Sequence, residues 1–144
     1  MFNTISQKSI AGKRVNEDKI HVGENYIIFL DGASGLRKQL IPNSKSDAKW
    51  YVDEFTKTIE KYSKDYGYRK PLIRKTIKEL NDKYNELVSP RRYNELNTPS
   101  ASGVVLFDSD THYFGYYFGD VKTIVKYKSN RTRKWLDQAL VDLD

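Results

Sequence analysis

The chain has 144 residues, no cysteine, two histidines and a net charge of +6. That length allows one domain with its own core. The lack of cysteine excludes a disulfide framework, a thiolate zinc site and a cysteine nucleophile, and His21 and His112 alone exclude a multi-histidine metal centre. No apolar run approaches membrane-span length, and MFNTISQKS lacks the apolar region of a signal peptide, so a soluble cytoplasmic protein is expected.

Phe2–Ser9, apolar at Phe2 and Ile5, reads as an edge strand. Ile10–Asp18 is polar and ends in the adjacent acids Glu17 and Asp18. Lys19–Val22 reads as a short strand, Gly23-Glu24-Asn25 as a turn, and Tyr26–Leu30 as a buried strand of β-branched and aromatic residues. That run is expected to stop at Asp31-Gly32, where small residues suit a tight turn that exposes a carboxylate and carbonyls. The two arms flanking the turn are of similar length. Antiparallel pairing therefore brings Asp18 and Asp31 to one end of the sheet, where carboxylates repel unless a cation lies between them.

Ser46 or Asp47 can cap a helix over about residues 46–64, with Ala48, Tyr51, Val52, Phe55, Ile59 and Tyr62 at helical spacing. Tyr66-Gly67-Tyr68 breaks it. Pro71 suits the first turn of a second helix with the stripe Ile73, Ile77, Leu80, Tyr84 and Leu87, ending near Ser89-Pro90. Arg91–Pro99 reads as a loop. Ser100–Gly103 leads into a strand at Val104–Phe107, and Asp108-Ser109-Asp110 turns it into an aromatic strand, His112–Phe118. Asp120 is a second acid after an apolar strand. Thr123–Tyr127 reads as another strand, and Leu136, Ala139, Leu140 and Leu143 as a final helix. Strands, two consecutive helices, then strands define an α+β class with antiparallel sheets. No Gly-rich phosphate loop opens a helix.

Four pieces, in order, resemble the metal-dependent protein serine/threonine phosphatases of the type 2C (PPM) family. GKRVNED (Gly12–Asp18) is similar to the family's Arg-x-x-Asn-Glu-Asp segment, and FLDGASG (Phe29–Gly35) to its Asp-Gly-x-x-Gly turn. PSASGVVL (Pro99–Leu106) resembles its small-residue strand entry, and YYFGDVK (Tyr116–Lys122) its Gly-Asp-Ser-Arg strand. LDQALV (Leu136–Val141) resembles the element that follows. The resemblance covers nearly the whole chain, but only the N-terminal half to two-thirds of such a domain.

The resemblance implies an antiparallel β-sandwich flanked by helices, with a binuclear Mn²⁺ or Mg²⁺ centre at one end of the sheets. It implies that Asp31 bridges the metals, that the Gly32 carbonyl binds one of them, and that Glu17 and Asp18 hold metal-associated waters. Asp120 would serve a further, weaker metal. Lys13 and Arg14 would contact substrate phosphate. No side chain acts as nucleophile: a metal-activated water attacks phosphoserine or phosphothreonine on a protein. Oxygen-only ligands suit Mg²⁺ or Mn²⁺, and two ions about 3.5–4 Å apart would stabilise in-line displacement at phosphorus.

The sequence departs from the family's pattern in four places. Lys13 stands where the family has its phosphate-binding arginine, and a lysine lacks the bidentate fork. Ala33 stands where some members carry a histidine, and Val121-Lys122 replaces Ser-Arg. The family's later metal aspartates have no counterpart before Asp144, so the chain reads as part of a longer phosphatase, weak or inactive alone. The alternative is a pseudophosphatase or half-domain that binds a protein partner or dimerises through exposed sheet edges. Nucleic-acid binding has only charge and tyrosine content in its favour. The basic residues are dispersed among acids, and their densest cluster, Arg131-Thr132-Arg133-Lys134, is short.

Overall fold

The computed structural model describes residues 2–12, 14–36, 39–67, 70–88, 97–108, 112–126 and 132–135. Strand β1 (Lys19–Val22) and strand β2 (Tyr26–Ala33) form a hairpin. Helices α1 (Asp47–Tyr66) and α2 (Lys70–Leu87) follow. Strands β3 (Ser100–Asp108) and β4 (Tyr113–Phe118) come next, then β5 (Thr123–Lys126) and β6 (Thr132–Trp135). The first four strands make one antiparallel sheet in the order β1-β2-β3-β4; β5 and β6 pair with each other. The class is α+β.

Helix α1 starts where the sequence provides a cap: Ser46 is extended, and its Oγ accepts from the Lys49 amide at 3.1 Å. Such a cap contributes about 1 kcal/mol. The next residue, Asp47, is buried, and its carboxylate accepts the amides of Leu40 (2.8 Å) and Ile41 (2.9 Å), which ties the incoming loop to the helix. Gly67, with φ of +58°, ends the helix in a conformation costly for other residues. Helix α1 lies against β1, β2 and β3, and α2 packs on α1. Val52, Phe55 and Ile59 of α1 join Leu72, Ile73 and Leu80 of α2 and Ile28, Leu30, Val105 and Phe107 of the sheet in one core. Buried Thr56 and Thr76 donate to the carbonyls one turn back, Val52 and Leu72, so neither hydroxyl is stranded. A smaller cluster of Ile41, Tyr84 and Val88 closes the far end, covered by Leu40 and Trp50.

The alternation along β2 is strict: Tyr26, Ile28 and Leu30 are buried toward the helices, while Phe29 on the other face is 41% exposed. A solvated face would carry polar residues at such positions. Here Ile20, Ile27, Phe29, Val104 and Leu106 alternate onto the face away from the helices, so both faces of the sheet are apolar.

Several expectations are corrected. Phe2–Ser9 is not a strand: Ile5 is 100% exposed and the segment pairs with no described strand. Two apolar residues bury too little to offset the entropy of ordering it. Asp31 and Gly32 do not lie in a turn. β2 continues through Ala33 because the small residues Ser100, Ala101 and Ser102 stand opposite Ala33, Gly32 and Asp31 and extend the ladder. For the same reason β3 starts at Ser100 rather than Val104. β6 was not anticipated, because its charged sequence TRKW hides a strand. The expected helix over Leu136–Leu143 and the loop at Arg91-Arg92 lie outside the described residues.

On the outer side of the helical pair, Glu79 accepts from the Tyr62 hydroxyl and from Lys61 and Lys83 at 3.1 Å. The phenol hydrogen bond, ahead of an opposing burial effect and the two ammonium groups, holds the Glu79 carboxyl down at about 2 against an ordinary 4.5. A depressed carboxyl contributes stability that is complete above its unfolded pKa and drains as pH falls toward the folded one. Tyr62→Phe is therefore expected to lower stability at pH 7 and to flatten the acid-unfolding curve between pH 4.5 and about 2. Denaturant titrations of both proteins across that window check it.

Candidate functional site: an acidic sheet end

The β1–β2 register ends at Lys19 opposite Leu30, so the next step outward sets Asp18 opposite Asp31. On the other side of β2, Asp31 faces Ser102, and Ser102 lies next to Gly119, one step beyond the Gly103–Phe118 pair. Gly119 has φ of +72°, and a Cβ there would lie 2.2 Å from Ser102 Oγ. Only glycine allows this tight approach, and it delivers Asp120 to the same sheet end. The structure thus brings Glu17, Asp18, Asp31 and Asp120 into one electrostatic neighbourhood.

Asp31 registers that neighbourhood. Its carboxyl is raised above the ordinary 3.8, first by burial, then by the charges of Asp18 and Asp120, a side-chain contact with Asp18, and the charge of Glu17. Among the described residues the ion pairs lie elsewhere. Lys19 turns to the helix face, where it and Lys49 each reach Asp53 Oδ1 at 2.9 Å. There, burial pushes the Asp53 carboxyl up, but the two ammonium groups outweigh it and the net shift is downward.

Hydroxyl and amide groups hold the acids. Ser34 Oγ donates to Glu17 Oε1 at 2.5 Å and accepts from the Ala48 amide, in the first turn of α1, at 3.3 Å. Asn16 accepts the Asp18 amide on Oδ1 (3.0 Å) and donates through Nδ2 to Ser9 Oγ (2.8 Å); Ser9 Oγ donates to Asp18 Oδ2 (3.3 Å). These three residues close a ring. Ser9, Asn16 and Ser34 escape a reading of the sequence as partners. Only Asn16, two residues before Asp18, carries a local signal, the spacing of an Asx turn.

Gly32 is buried where β2 passes between α1 and the Glu17 segment. A Cβ on it would meet the Glu17 carbonyl oxygen at 2.6 Å, Val52 Cγ1 at 3.1 Å and Ala48 Cβ at 3.3 Å. The backbone oxygen cannot rotate away. Gly32→Ala is expected to cost about 1–3 kcal/mol by overpacking and to displace Glu17, read as a lower Tm together with weaker Mn²⁺ binding. Arg14 is exposed, and Lys13 lies outside the described residues.

The donor set consists of acceptor-only carboxylate oxygens, which suits a hard divalent cation. Their spacing is wider than an ion would draw it: among the described residues no three acids or histidines stand close enough to hold one. Asp31 and Asp120 are exposed, so their side chains can turn without disturbing the core. No helix among the described residues is long and apolar enough to cross a membrane. No family model, no curated protein and no solved structure matches the chain.

Proposed function

We propose that this chain is the N-terminal part of a metal-dependent phosphatase acting on phosphoserine and phosphothreonine in proteins, with Mn²⁺ or Mg²⁺ at the acidic sheet end. The observation that supports the reading is the convergence of Glu17, Asp18, Asp31 and Asp120, which raises the Asp31 carboxyl in the way a missing countercharge would. Bound divalent ions supply Lewis-acid stabilisation and activation of water for displacement at phosphorus. Asp31 and the Gly32 carbonyl are assigned to hold the metal, Glu17 and Asp18 to orient water beside it, and Asp120 to a weaker site. Lys13 and Arg14 are assigned to attract the substrate phosphate. The face bearing Ile27, Phe29 and Leu106 is assigned to the interior of a β-sandwich.

Mn²⁺ titration by calorimetry, together with Mn²⁺-dependent hydrolysis of a phosphothreonine peptide, tests the reading. Mn²⁺ binding without turnover keeps the metal site and makes this chain an incomplete catalyst; no Mn²⁺ binding at millimolar metal removes the assignment.

A second reading, a non-catalytic half-domain that binds protein, draws on a different observation. Phe29 is exposed on an apolar sheet face, and edge strand β4 (YFGYYF) carries no charge to discourage pairing. Light scattering that shows a concentration-dependent dimer favours it.

A further inference from the structure

The first residues of the chain are neither a strand nor buried, yet they are fastened at two points. Near the start, the Phe2 ring lies 5.7 Å from the ring of Tyr113, at the beginning of β4. At the other end, Ser9 closes the ring with Asn16 and Asp18. These anchors sit at opposite ends of the sheet. Tyr113 pairs with Asp108 at the end of β3 remote from the acids, whereas Asp18 stands beside Asp31. Seven residues of extended chain reach about 23 Å, which matches the run of β3 from Ser102 to Asp108. The middle of the segment makes no such commitment, with Ile5 wholly exposed.

We propose that residues 2–12 form a displaceable strap, and that Ser9 and a divalent cation compete for Asp18. The inference rests on the metal reading of the acidic sheet end. Ser9 Oγ donates to Asp18 Oδ2, and the Ser34 hydroxyl holds Glu17 in the same manner. A hydroxyl dipole is a weak substitute for a cation beside clustered carboxylates. When an ion draws Asp18 toward Asp31, the Ser9 hydrogen bond is lost and the ring opens. The strap then keeps only the Phe2 contact, a single exposed ring pair. Cation arrival is thereby coupled to release of the N-terminal segment from the mouth of the site.

The test uses the full chain, Mn²⁺ alone as the probe, and two readouts: calorimetric affinity, and the rate of tryptic cleavage after Lys8. Ser9 is exposed, so Ser9→Ala leaves the core intact. Ser9→Ala is expected to bind Mn²⁺ about two- to tenfold tighter, the worth of one hydrogen bond, and to be cut faster after Lys8 without metal. Mn²⁺ is expected to speed that cut in the unsubstituted chain but not in Asp31→Asn, which controls for any effect on trypsin. If the unsubstituted chain and Ser9→Ala bind Mn²⁺ equally, the strap is overturned while the metal site stands. If neither binds Mn²⁺, both the site and the competition are overturned.

Discussion

Asp31→Asn is expected to abolish measurable Mn²⁺ binding and, in metal-free buffer, to raise the thermal midpoint. The two effects have one origin. Asp31 sits between Asp18 on β1 and the turn that carries Asp120, and its carboxyl is raised by burial and by those charges. For an acid whose folded pKa lies above its unfolded one, the charged form penalises the folded state. The penalty is complete above the folded pKa and is relieved as pH falls through it. Asparagine keeps the shape and the Ser102 ladder position but removes the charge, so the metal-free protein gains stability at pH 7. The gain over the unsubstituted chain should shrink as pH drops toward the ordinary carboxylate range. A cation reverses the order: the unsubstituted chain is stabilised by ligand linkage, and the variant is not. Thermal melts of both proteins at pH 7 and pH 4, with and without Mn²⁺, give the comparison. A variant that melts lower in metal-free buffer at pH 7 would mean that Asp31 is held by partners rather than repelled.

The second large effect separates the two faces of the sheet. Phe107→Ala is expected to cost about 3–5 kcal/mol. Phe107 is wholly buried, its ring lies 6.2 Å from Tyr26 and 5.9 Å from Tyr116, and it belongs to the core shared with both helices. Removing it leaves a cavity among rigid neighbours on two strands. Phe29→Ala, on the opposite face of β2, removes the same atoms from a position already 41% in water and should cost under about 1.5 kcal/mol. The same change is expected to reduce any self-association, because it deletes the most exposed ring of the uncovered apolar face. Urea titrations at several protein concentrations measure both. Comparable losses at the two positions would show that the face bearing Phe29 is covered in solution.

Much of the fold was legible because local signals agreed with one another. Ser46, the 3.6-residue stripe and Gly67 bound α1 closely, and Pro71 marks the first turn of α2. The hairpin of Lys19–Val22 with the run from Tyr26 could be read from alternation and arm length, and with it the meeting of Asp18 and Asp31. What failed was decided by distant chain. Asp31-Gly32-Ala33 has turn chemistry, yet it is strand because Ser100–Ser102 lies alongside. Phe2–Ser9 has two strand-like residues, yet no neighbouring strand accepts them. The placement of Asp120 beside Asp31 depends on a positive-φ glycine packed on Ser102, which spacing alone does not reveal. Ser9 and Ser34 acquire their partners only once loops from different elements are brought together.

The insertion of the helical pair between β2 and β3 also has a kinetic consequence. The β1–β2 hairpin and the α1–α2 contacts join residues near in sequence, whereas pairing Tyr26–Ala33 with Ser100–Asp108 must close a loop containing both helices. Loop-closure entropy makes that pairing the late step of folding. Ser102, Gly119 and Asp120 reach Asp31 only through it. The complete acidic cluster therefore exists only after the rate-limiting closure, and a newly made chain acquires its full negative charge density at this sheet end last of all.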